Sequence, residues 1–258
     1  MGSSSSKEKK HHFRRKHKNR EPEHEPEVSE PQGLQIVPAP ERDEEGRPVR
    51  HKEYDLNRNN LNKALHYVAE FLHGKSQNVT IIAVGGAVNT IFLRTRNVTH
   101  DVDFFNGHIS HDAALADLLR QAATNAAARS SVPLGGNWLN NSTVLFMSEA
   151  LQIELTDAAV AQDEVIFQEP GLRVLAAPWG YAICAKLERM GKSNRREYDL
   201  KDAAIYLRRH ILKHDNRPVS AAEIEEWGRH YKIQCSRAAI QELANEYHET
   251  YNAVGVTF

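Results

Sequence analysis

The chain has 258 residues, of which 40 % are hydrophobic and 26 % are charged, and its formal net charge is −1. Such a composition is typical of a globular protein, and it excludes a strong overall electrostatic bias toward nucleic acid or membrane. No apolar run approaches the roughly 18 residues that a membrane span requires, and two cysteines cannot form a disulfide framework.

The first fifty residues differ from the rest in composition. Residues 1–20 carry eight Lys or Arg and one Glu, whereas residues 21–50 carry nine Asp or Glu and three Arg. Large apolar side chains are almost absent, so the segment cannot bury enough surface to offset its ordering entropy. We therefore predict a disordered tail over residues 1–50, basic first and then acidic.

The opening letters "MGSSSS" fit the N-myristoylation pattern at Gly2, and the basic run that follows would supply the second membrane signal. The alternatives are a low-complexity start, a nuclear-import-like basic run or a cloning remnant. We expect a cytoplasmic protein. An anionic membrane surface is a candidate partner through the tail, and the nucleus is an alternative location.

Regular structure is predicted from about Tyr54 onwards, by hydrophobic periodicity and by Gly and Pro punctuation. Asn60 is the expected cap of the first helix, and Ser220 with Glu223 forms a capping-box spacing. In chain order the elements are a helix at 61–72, a strand at 79–84, a helix at 87–95, a strand at 101–105, a helix at 111–130, strands at 143–147, 151–156, 164–168 and 172–176, and helices at 178–190, 197–213, 220–231 and 236–250.

This order predicts an α+β fold, with a small mixed β-sheet, flanking helices and a helical C-terminal extension. Residues 54–177 would form the core and residues 178–258 the helical region. Trp138 lies between two predicted halves and would either stack on a base or fill the core. Cys184 and Cys235 are expected to be reduced thiols, with a zinc pair as the weaker alternative.

The sequence "DVDFF" places two carboxylates inside a predicted strand. Side chains alternate faces along a strand, so Asp101 and Asp103 share one face while Val102 and Phe104 face the core. Carboxylate oxygens suit Mg²⁺ or Mn²⁺, and Mg²⁺ is commonly held by one or two carboxylates together with substrate phosphates. Gly85-Gly86, where a strand gives way to a helix, would allow a phosphate to approach the backbone.

A third carboxylate would complete a two-metal site. In "LQIELTD", Leu151, Ile153 and Leu155 would share one strand face, which leaves Glu154 on the other face. We therefore predict Glu154 as the third catalytic and metal-binding carboxylate, with Asp157 as the weaker candidate. The alternative for Glu154 is an ordinary solvated strand face.

The stretch "GGAVNTIFLRTRNVTHDVDFF" resembles the signature of the polymerase-β-like nucleotidyltransferase superfamily, and within it the minimal and abortive-infection-toxin types. That signature is a glycine pair that opens a helix, a D-x-D strand and a later acidic residue. An Arg and a Thr often precede the D-x-D in these types; Arg96, or Arg94, and Thr99 occupy those places here with one extra residue of spacing.

The resemblance continues in "AKLERMGKSNRREYDLKDAAIYL" and covers roughly residues 60–210. It implies that Lys186, Arg189 and Arg195 or Arg196 contact nucleotide phosphates, and that Asp199 and Asp202 brace these basic residues. The alternative for these two aspartates is a surface salt-bridge lattice.

The implied activity is transfer of a nucleoside monophosphate from an NTP such as ATP, by a two-metal mechanism in Mg²⁺ or Mn²⁺. The acceptor would be RNA such as tRNA, a protein or a small molecule. Two rival functions remain. One is an inactive nucleotide-binding scaffold of the same fold, and the other is a D-x-D metal-dependent glycosyltransferase, which would bind nucleotide sugars.

Overall fold

A computed structural model describes Met1 and residues 52–109, 112–192 and 195–258, with only the backbone of Phe146. Apart from Met1, the predicted tail, including Gly2, lies outside the described residues. From residue 52 onwards the described residues belong to one compact unit.

The described part of the chain contains seven α-helices and nine strands. The helices are α1 Arg58–Gly74, α2 Ala113–Arg129, α3 Glu149–Gln162, α4 Trp179–Met190, α5 Asp199–Lys213, α6 Ala221–Tyr231 and α7 Arg237–Tyr251. The strands are β1 Leu56–Asn57, β2 Val79–Val84, β3 Val98–Thr99, β4 Val102–Phe105, β5 Leu139–Asn140, β6 Val165–Glu169, β7 Leu172–Ala176, β8 Val219–Ser220 and β9 Val256–Thr257. A π-helical segment spans Val88–Leu93, and a 3₁₀ segment spans Ser142–Phe146.

Five strands form the main sheet in the order β5-β4-β2-β7-β6. Strand β2 pairs antiparallel with β4 and parallel with β7, while β4 pairs parallel with the two-residue β5. The sheet is therefore mixed and has helices around it, as the sequence predicts. Two short pairs lie apart from it: β1 with β3, and β8 with β9.

Both faces of β2 are buried, which is why its sequence is a continuous apolar run instead of an alternating one. Ile81 and Ala83 belong to a large apolar cluster that includes residues of α1, α2 and α4–α7. Ile82 belongs to a second cluster with Phe105 and Leu155 of α3. Each fully buried aliphatic side chain contributes about 1.5–3 kcal/mol of transfer free energy, so the strand at the middle of the sheet holds both layers together.

Most of the predicted elements are confirmed within a few residues at their ends, including β2, β6, β7 and the four helices after residue 178. The predicted helix at 87–95 forms as the shorter π-helical segment. The predicted cap of α1 is wrong by one turn, because Asn57 is the N-cap and its side chain accepts a hydrogen bond from the Asn60 N–H. The capping box of Ser220 and Glu223 is present.

The predicted strands at 143–147 and 151–156 are wrong. The first is the 3₁₀ segment and the second lies within α3, which Ser148 caps by accepting a hydrogen bond from the Leu151 N–H. Helix α3 buries Gln152, Leu155, Thr156 and Ala159. This spacing is a helical stripe, and the alternation of Leu151, Ile153 and Leu155 that suggested a strand was incidental to it.

Gly107 allows α3 to lie against the end of β4. A Cβ at this position would be 2.3 Å from the backbone nitrogen of Ile153. The Gly107 N–H donates a hydrogen bond to the hydroxyl of Thr156 at 2.9 Å. Backbone-to-backbone approach of this kind has no room for any side chain.

We expect Gly107→Ala to lower the free energy of unfolding by about 2–3 kcal/mol, because the added methyl must displace the α3 backbone. Gly74→Ala is the matched control, since no atom lies within 4 Å of a Cβ built there. Urea unfolding of both variants measures the difference. Equal stability of the two variants would contradict the packing described for α3.

Candidate functional site

Asp101 and Asp103 lie at the start of β4, on the face opposite to the large apolar cluster. Val102 is fully buried and Phe104 is 4 % exposed, and both belong to that cluster. Asp101 immediately precedes the strand, Asp103 lies within it, and both are partly buried. The alternation predicted for this stretch is therefore present, and the two carboxyl groups share a side.

The two carboxylates are poorly stabilised as anions. Burial, followed by the charge of Asp103, raises the pKa of Asp101 to about 6. Burial also raises the pKa of Asp103, and this is opposed by a hydrogen bond from Asn140 and by the positive charges of Arg189 and Arg196. Raised values of this kind are expected where like charges lie together without a dedicated cation. A bound divalent cation would reverse the effect.

Asn140 is the side chain that the parallel strand β5 places beside this pair. The register aligns Asp103 with Asn140 and Val102 with Leu139. Asn140 is 6 % exposed. Its side-chain hydrogen bonds lower the pKa of both aspartates. Asn140 was not predicted from the sequence, because a two-residue strand has no periodicity. The one sequence feature that could have indicated it is a polar residue directly after the apolar pair Trp138-Leu139.

The predicted placement of Glu154 next to the aspartates is wrong. Glu154 lies on α3, not on a strand beside β4, and its carboxylate is 2.6 Å from Nε2 of His230 on α6. Asp157, one turn further along, is 2.7 Å from Nε2 of His108. In the ranges that the structure covers, no three His, Cys, Asp or Glu side chains come together as a metal site.

The glycine pair shapes the backbone before the π-helical segment. Gly85 has φ +67°, in the left-handed region that favours glycine. A Cβ at Gly86 would lie 2.1 Å from Oγ1 of Thr99. Gly86 is thus needed so that Thr99, at the end of β3, can lie against it. The glycine pair, Thr99 and the aspartates are brought to one region by this contact.

Lys186 forms the centre of a buried ion cluster. Its Nζ lies 3.2 Å from Oδ1 of Asp199 and 2.7 Å from Oδ2 of Asp202. The three side chains are between 0 and 4 % exposed. Arg96 also pairs with Asp202, and its guanidinium lies 3.5 Å from the centre of the Tyr198 ring. Two positive and two negative charges therefore neutralise one another inside the protein.

This cluster changes the interpretation of several predicted phosphate ligands. Lys186 is fully engaged inside the protein, so it is not the exposed phosphate ligand that the resemblance implies. Arg96 is the arginine of the cluster, whereas Arg94 is an exposed residue with φ 58°. Arg195 pairs with Glu242 on α7 at 2.7 Å.

Two basic residues remain close to the carboxylate pair. The charges of Arg189 and Arg196 lower the pKa of Asp103. The Arg189 side chain is 29 % exposed and its Nη1 is 3.8 Å from Oδ1 of Asp199. Arg196 is exposed, donates from its side chain to the Tyr198 hydroxyl at 2.9 Å and from its backbone N–H to Asp199 at 3.0 Å. The ion cluster thus holds both residues at the side of the site.

Trp138 fills the core, as one of its two interpretations predicts. It is 2 % exposed, and its indole N–H donates to the backbone oxygen of Ala123 at 3.1 Å. Cys184 and Cys235 are free thiols. Among the described helices, none is long and apolar enough to cross a membrane.

The architecture defines a mixed α+β protein with a carboxylate pair at one end of its sheet and a buried ion cluster behind it. Residues 54–254 match the family model described as "Domain of unknown function (DUF7582)", and the chain therefore belongs to that family. No curated protein and no solved structure is significantly similar to the chain.

We expect Lys186→Met to lower the free energy of unfolding by about 3–5 kcal/mol, because it leaves Asp199 and Asp202 buried with too little positive charge. The control is Lys192→Met, since Lys192 pairs with Glu188 at the surface and its side chain is 56 % exposed. Thermal and urea unfolding measure both variants. A loss no larger than that of Lys192→Met would mean that the cluster is not a stabilising element.

Asp101→Asn should stabilise the metal-free protein near neutral pH. The pKa of Asp101 is about 6 in the folded protein against an ordinary value of 3.8. Ionisation of Asp101 therefore lowers the free energy of unfolding, and this cost is fully present above about pH 6. We expect a gain of about 1–2 kcal/mol at about pH 7.5 that disappears as the pH falls to about 4. Urea unfolding over this pH range measures it, with Asp117→Asn on the exposed face of α2 as control. A gain that does not change with pH would contradict the charge-based explanation.

Proposed function

We propose that this protein is a nucleotidyltransferase-like protein, which binds an NTP together with a divalent cation and transfers the nucleoside monophosphate to an acceptor. The observation that supports this most directly is the pair Asp101 and Asp103. Two partly buried carboxylates on one strand face have raised pKa values even though Arg189 and Arg196 act on Asp103, in a protein that elsewhere pairs its buried carboxylates closely.

The residues present fit one divalent cation of the Mg²⁺ or Mn²⁺ type. Asp101 and Asp103 would hold it, and the remaining ligands would be water and substrate phosphate oxygens, which is the usual arrangement for Mg²⁺. Such a cation supplies positive charge that neutralises the triphosphate and the developing charge of the leaving group. The residues do not fit a set of three carboxylates, because Glu154 lies on α3 and the described residues contain no group of three metal-ligating side chains.

Arg189 and Arg196 are suited to the triphosphate. Both act on Asp103 electrostatically, and each keeps part of its guanidinium available because it is only partly engaged with the ion cluster. An arginine presents a planar set of donors that matches phosphate oxygens. Their function in the proposed reaction is to bind and orient the phosphates next to the carboxylate pair.

The proposed reaction is an in-line substitution at phosphorus. The oxygen of an acceptor hydroxyl forms a bond to the α-phosphorus, and the bond from that phosphorus to the bridging oxygen of pyrophosphate breaks. Pyrophosphate leaves with the electron pair, and the hydroxyl proton goes to solvent water. Positioning and charge neutralisation are most of what such a transfer requires from a protein. RNA such as tRNA, a protein and a small molecule remain candidate acceptors.

Asn140 favours a second candidate function, which is nucleotide binding without transfer. It is aligned with Asp103 on β5 and adds an amide there, not a third carboxylate for two-metal chemistry. A protein of this kind would act as a nucleotide-dependent scaffold. The two candidates share the binding site and differ in whether the bond at the α-phosphorus is broken.

The direct test incubates the purified full-length protein with each α-labelled NTP, Mg²⁺ or Mn²⁺ and a cell extract, and then identifies the labelled molecule. We expect label in one acceptor class, and at least about a hundredfold loss of labelling for Asp101→Asn combined with Asp103→Asn. The double variant should also lose the increase in melting temperature that NTP and cation give the wild type. Asp117→Asn should behave as the wild type.

Three results separate the candidates. Labelling that depends on the aspartates supports transfer. Cation-dependent NTP binding without any label or pyrophosphate release supports the scaffold. Absence of NTP binding by the folded wild-type protein, measured by calorimetry in the presence of Mg²⁺ and of Mn²⁺, would show that both candidates are wrong.

A further inference from the structure

Two thiols meet on one side of helix α6. Cys184 lies on α4 and is fully buried, and its Sγ is 4.0 Å from the backbone oxygen of Ile224. Cys235 follows the end of α6 and is partly buried, and its Sγ is 3.1 Å from the position that a Cβ on Gly228 would occupy. In an α-helix the oxygen of residue 224 accepts a hydrogen bond from the N–H of residue 228. The two sulfur atoms therefore lie beside the two ends of one hydrogen bond in α6.

The turn after α6 brings Cys235 back along the helix. Lys232 has φ 56°, in the left-handed region, and ends α6. The Ile233 N–H then donates to the backbone oxygen of Gly228 at 2.8 Å. A Cβ at Gly228 would be 2.8 Å from the Ile233 oxygen, so the glycine leaves room for the returning chain. Gly228 thus determines how closely the second sulfur approaches α6.

The α4 side of this contact is also closely packed. A Cβ at Gly180, one turn before Cys184, would be 3.4 Å from the Trp227 side chain on α6. The thiols of Cys184 and Cys235 share a hydrogen bond, so their sulfur atoms are direct neighbours. The chain has two cysteines, and hence no third thiol competes with this pair.

The two thiols differ in how easily they become thiolates. The hydrogen bond with Cys184 lowers the pKa of Cys235, although burial opposes this. The same hydrogen bond, followed by burial, raises the pKa of Cys184. Oxidation of a cysteine proceeds from the thiolate and requires access to solvent. Cys235 is the better placed of the two in both respects.

We propose that Cys184 and Cys235 form a redox-sensitive pair, which a hydroperoxide such as hydrogen peroxide converts into a disulfide. The attacking sulfur is that of Cys235, which is partly exposed, and the resolving sulfur is that of the buried Cys184. The new bond joins α4 to the connection between α6 and α7. None of the residues proposed to bind nucleotide takes part in it, so the inference does not depend on the proposed function.

The chemistry takes place in two steps. The Cys235 sulfur forms a bond to the terminal oxygen of the hydroperoxide and the O–O bond breaks. The other oxygen leaves and takes up the proton that Cys235 released, giving an alcohol, or water where the oxidant is hydrogen peroxide. Cys235 is then a sulfenic acid. The Cys184 sulfur next bonds to the Cys235 sulfur, the S–O bond breaks, and the oxygen leaves as water with the Cys184 thiol proton. Two electrons thus pass from the thiols to the hydroperoxide, and a dithiol reductant reverses the oxidation.

The experiment treats the reduced, desalted full-length protein with hydrogen peroxide and analyses it by mass spectrometry. We expect each chain to lose two hydrogens, and digestion without reductant to give a peptide pair that links Cys184 to Cys235. Dithiothreitol should restore both thiols. The melting temperature of the oxidised protein should be at least about 4 °C higher than that of the reduced protein, because a disulfide restricts the unfolded chain. A lower melting temperature would contradict the fit of the disulfide to the native packing.

Single variants separate the roles of the two thiols. Cys184→Ala leaves the attacking thiol, so its sulfenic acid should accumulate and react with dimedone. Cys235→Ala leaves only the buried thiol, which should react with hydrogen peroxide at least about tenfold more slowly than the wild-type pair. Equal rates for folded Cys235→Ala and the wild type would show that Cys235 is not the attacking thiol. Circular dichroism establishes whether each variant is folded.

The wild-type protein alone can overturn the proposal, whether or not a variant folds. Failure of both thiols to react with hydrogen peroxide would do so, and so would stable sulfenic or sulfinic acid without a bond between the two sulfur atoms. A disulfide formed only between separate chains, seen as a doubled mass without reductant, would also contradict it. One zinc ion per chain that protects both thiols, measured by metal analysis, would identify the pair as a metal site instead.

Discussion

The contact of Lys186 with Asp199 and Asp202 is the interaction on which the site depends. Charges withdrawn from water must be compensated at close range, and here α4 supplies the lysine while α5 supplies both aspartates. Arg96 joins them from the segment before β3. Because Arg189 is on the same helix as Lys186, the cluster also positions one of the cations that act on the carboxylates of β4.

The protein contains two acidic pairs in opposite electrostatic states. Asp199 and Asp202, one helical turn apart, are neutralised by basic side chains within hydrogen-bonding distance. Asp101 and Asp103, two residues apart on an extended chain, have raised pKa values because burial, joined at Asp101 by the charge of Asp103, outweighs what opposes it. This contrast separates a structural arrangement from a candidate ligand site, although both pairs occur in similar acidic motifs of the sequence.

The parts of the fold that the sequence predicted are those with long or strongly biased patterns. The β-branched run of β2 and the apolar stripes of the last four helices belong here, and so does the shared face of Asp101 and Asp103. Strand β5 has two residues and hence no pattern. The apolar residues within α3 are compatible with a strand and with a helix. The N-cap at Ser148 and the close approach at Gly107 explain why this segment forms a helix. The spacing of Lys186 and Arg189 predicted that both lie on one helix. It did not indicate which of the two side chains is buried.

The pairing of β1 with β3 determines where the preceding chain joins the folded region. Leu56 is aligned with Thr99, and Glu53 and Asp55 lie 3.2 and 3.1 Å from the ring nitrogens of His100. Residue 52 is therefore connected by a few residues to the immediate neighbours of Asp101. Leu56 and Asn57 are thus tied through their partners Thr99 and Val98 to the backbone that leads into Asp101, so a change in the β1–β3 pair acts directly on the segment that carries the first carboxylate.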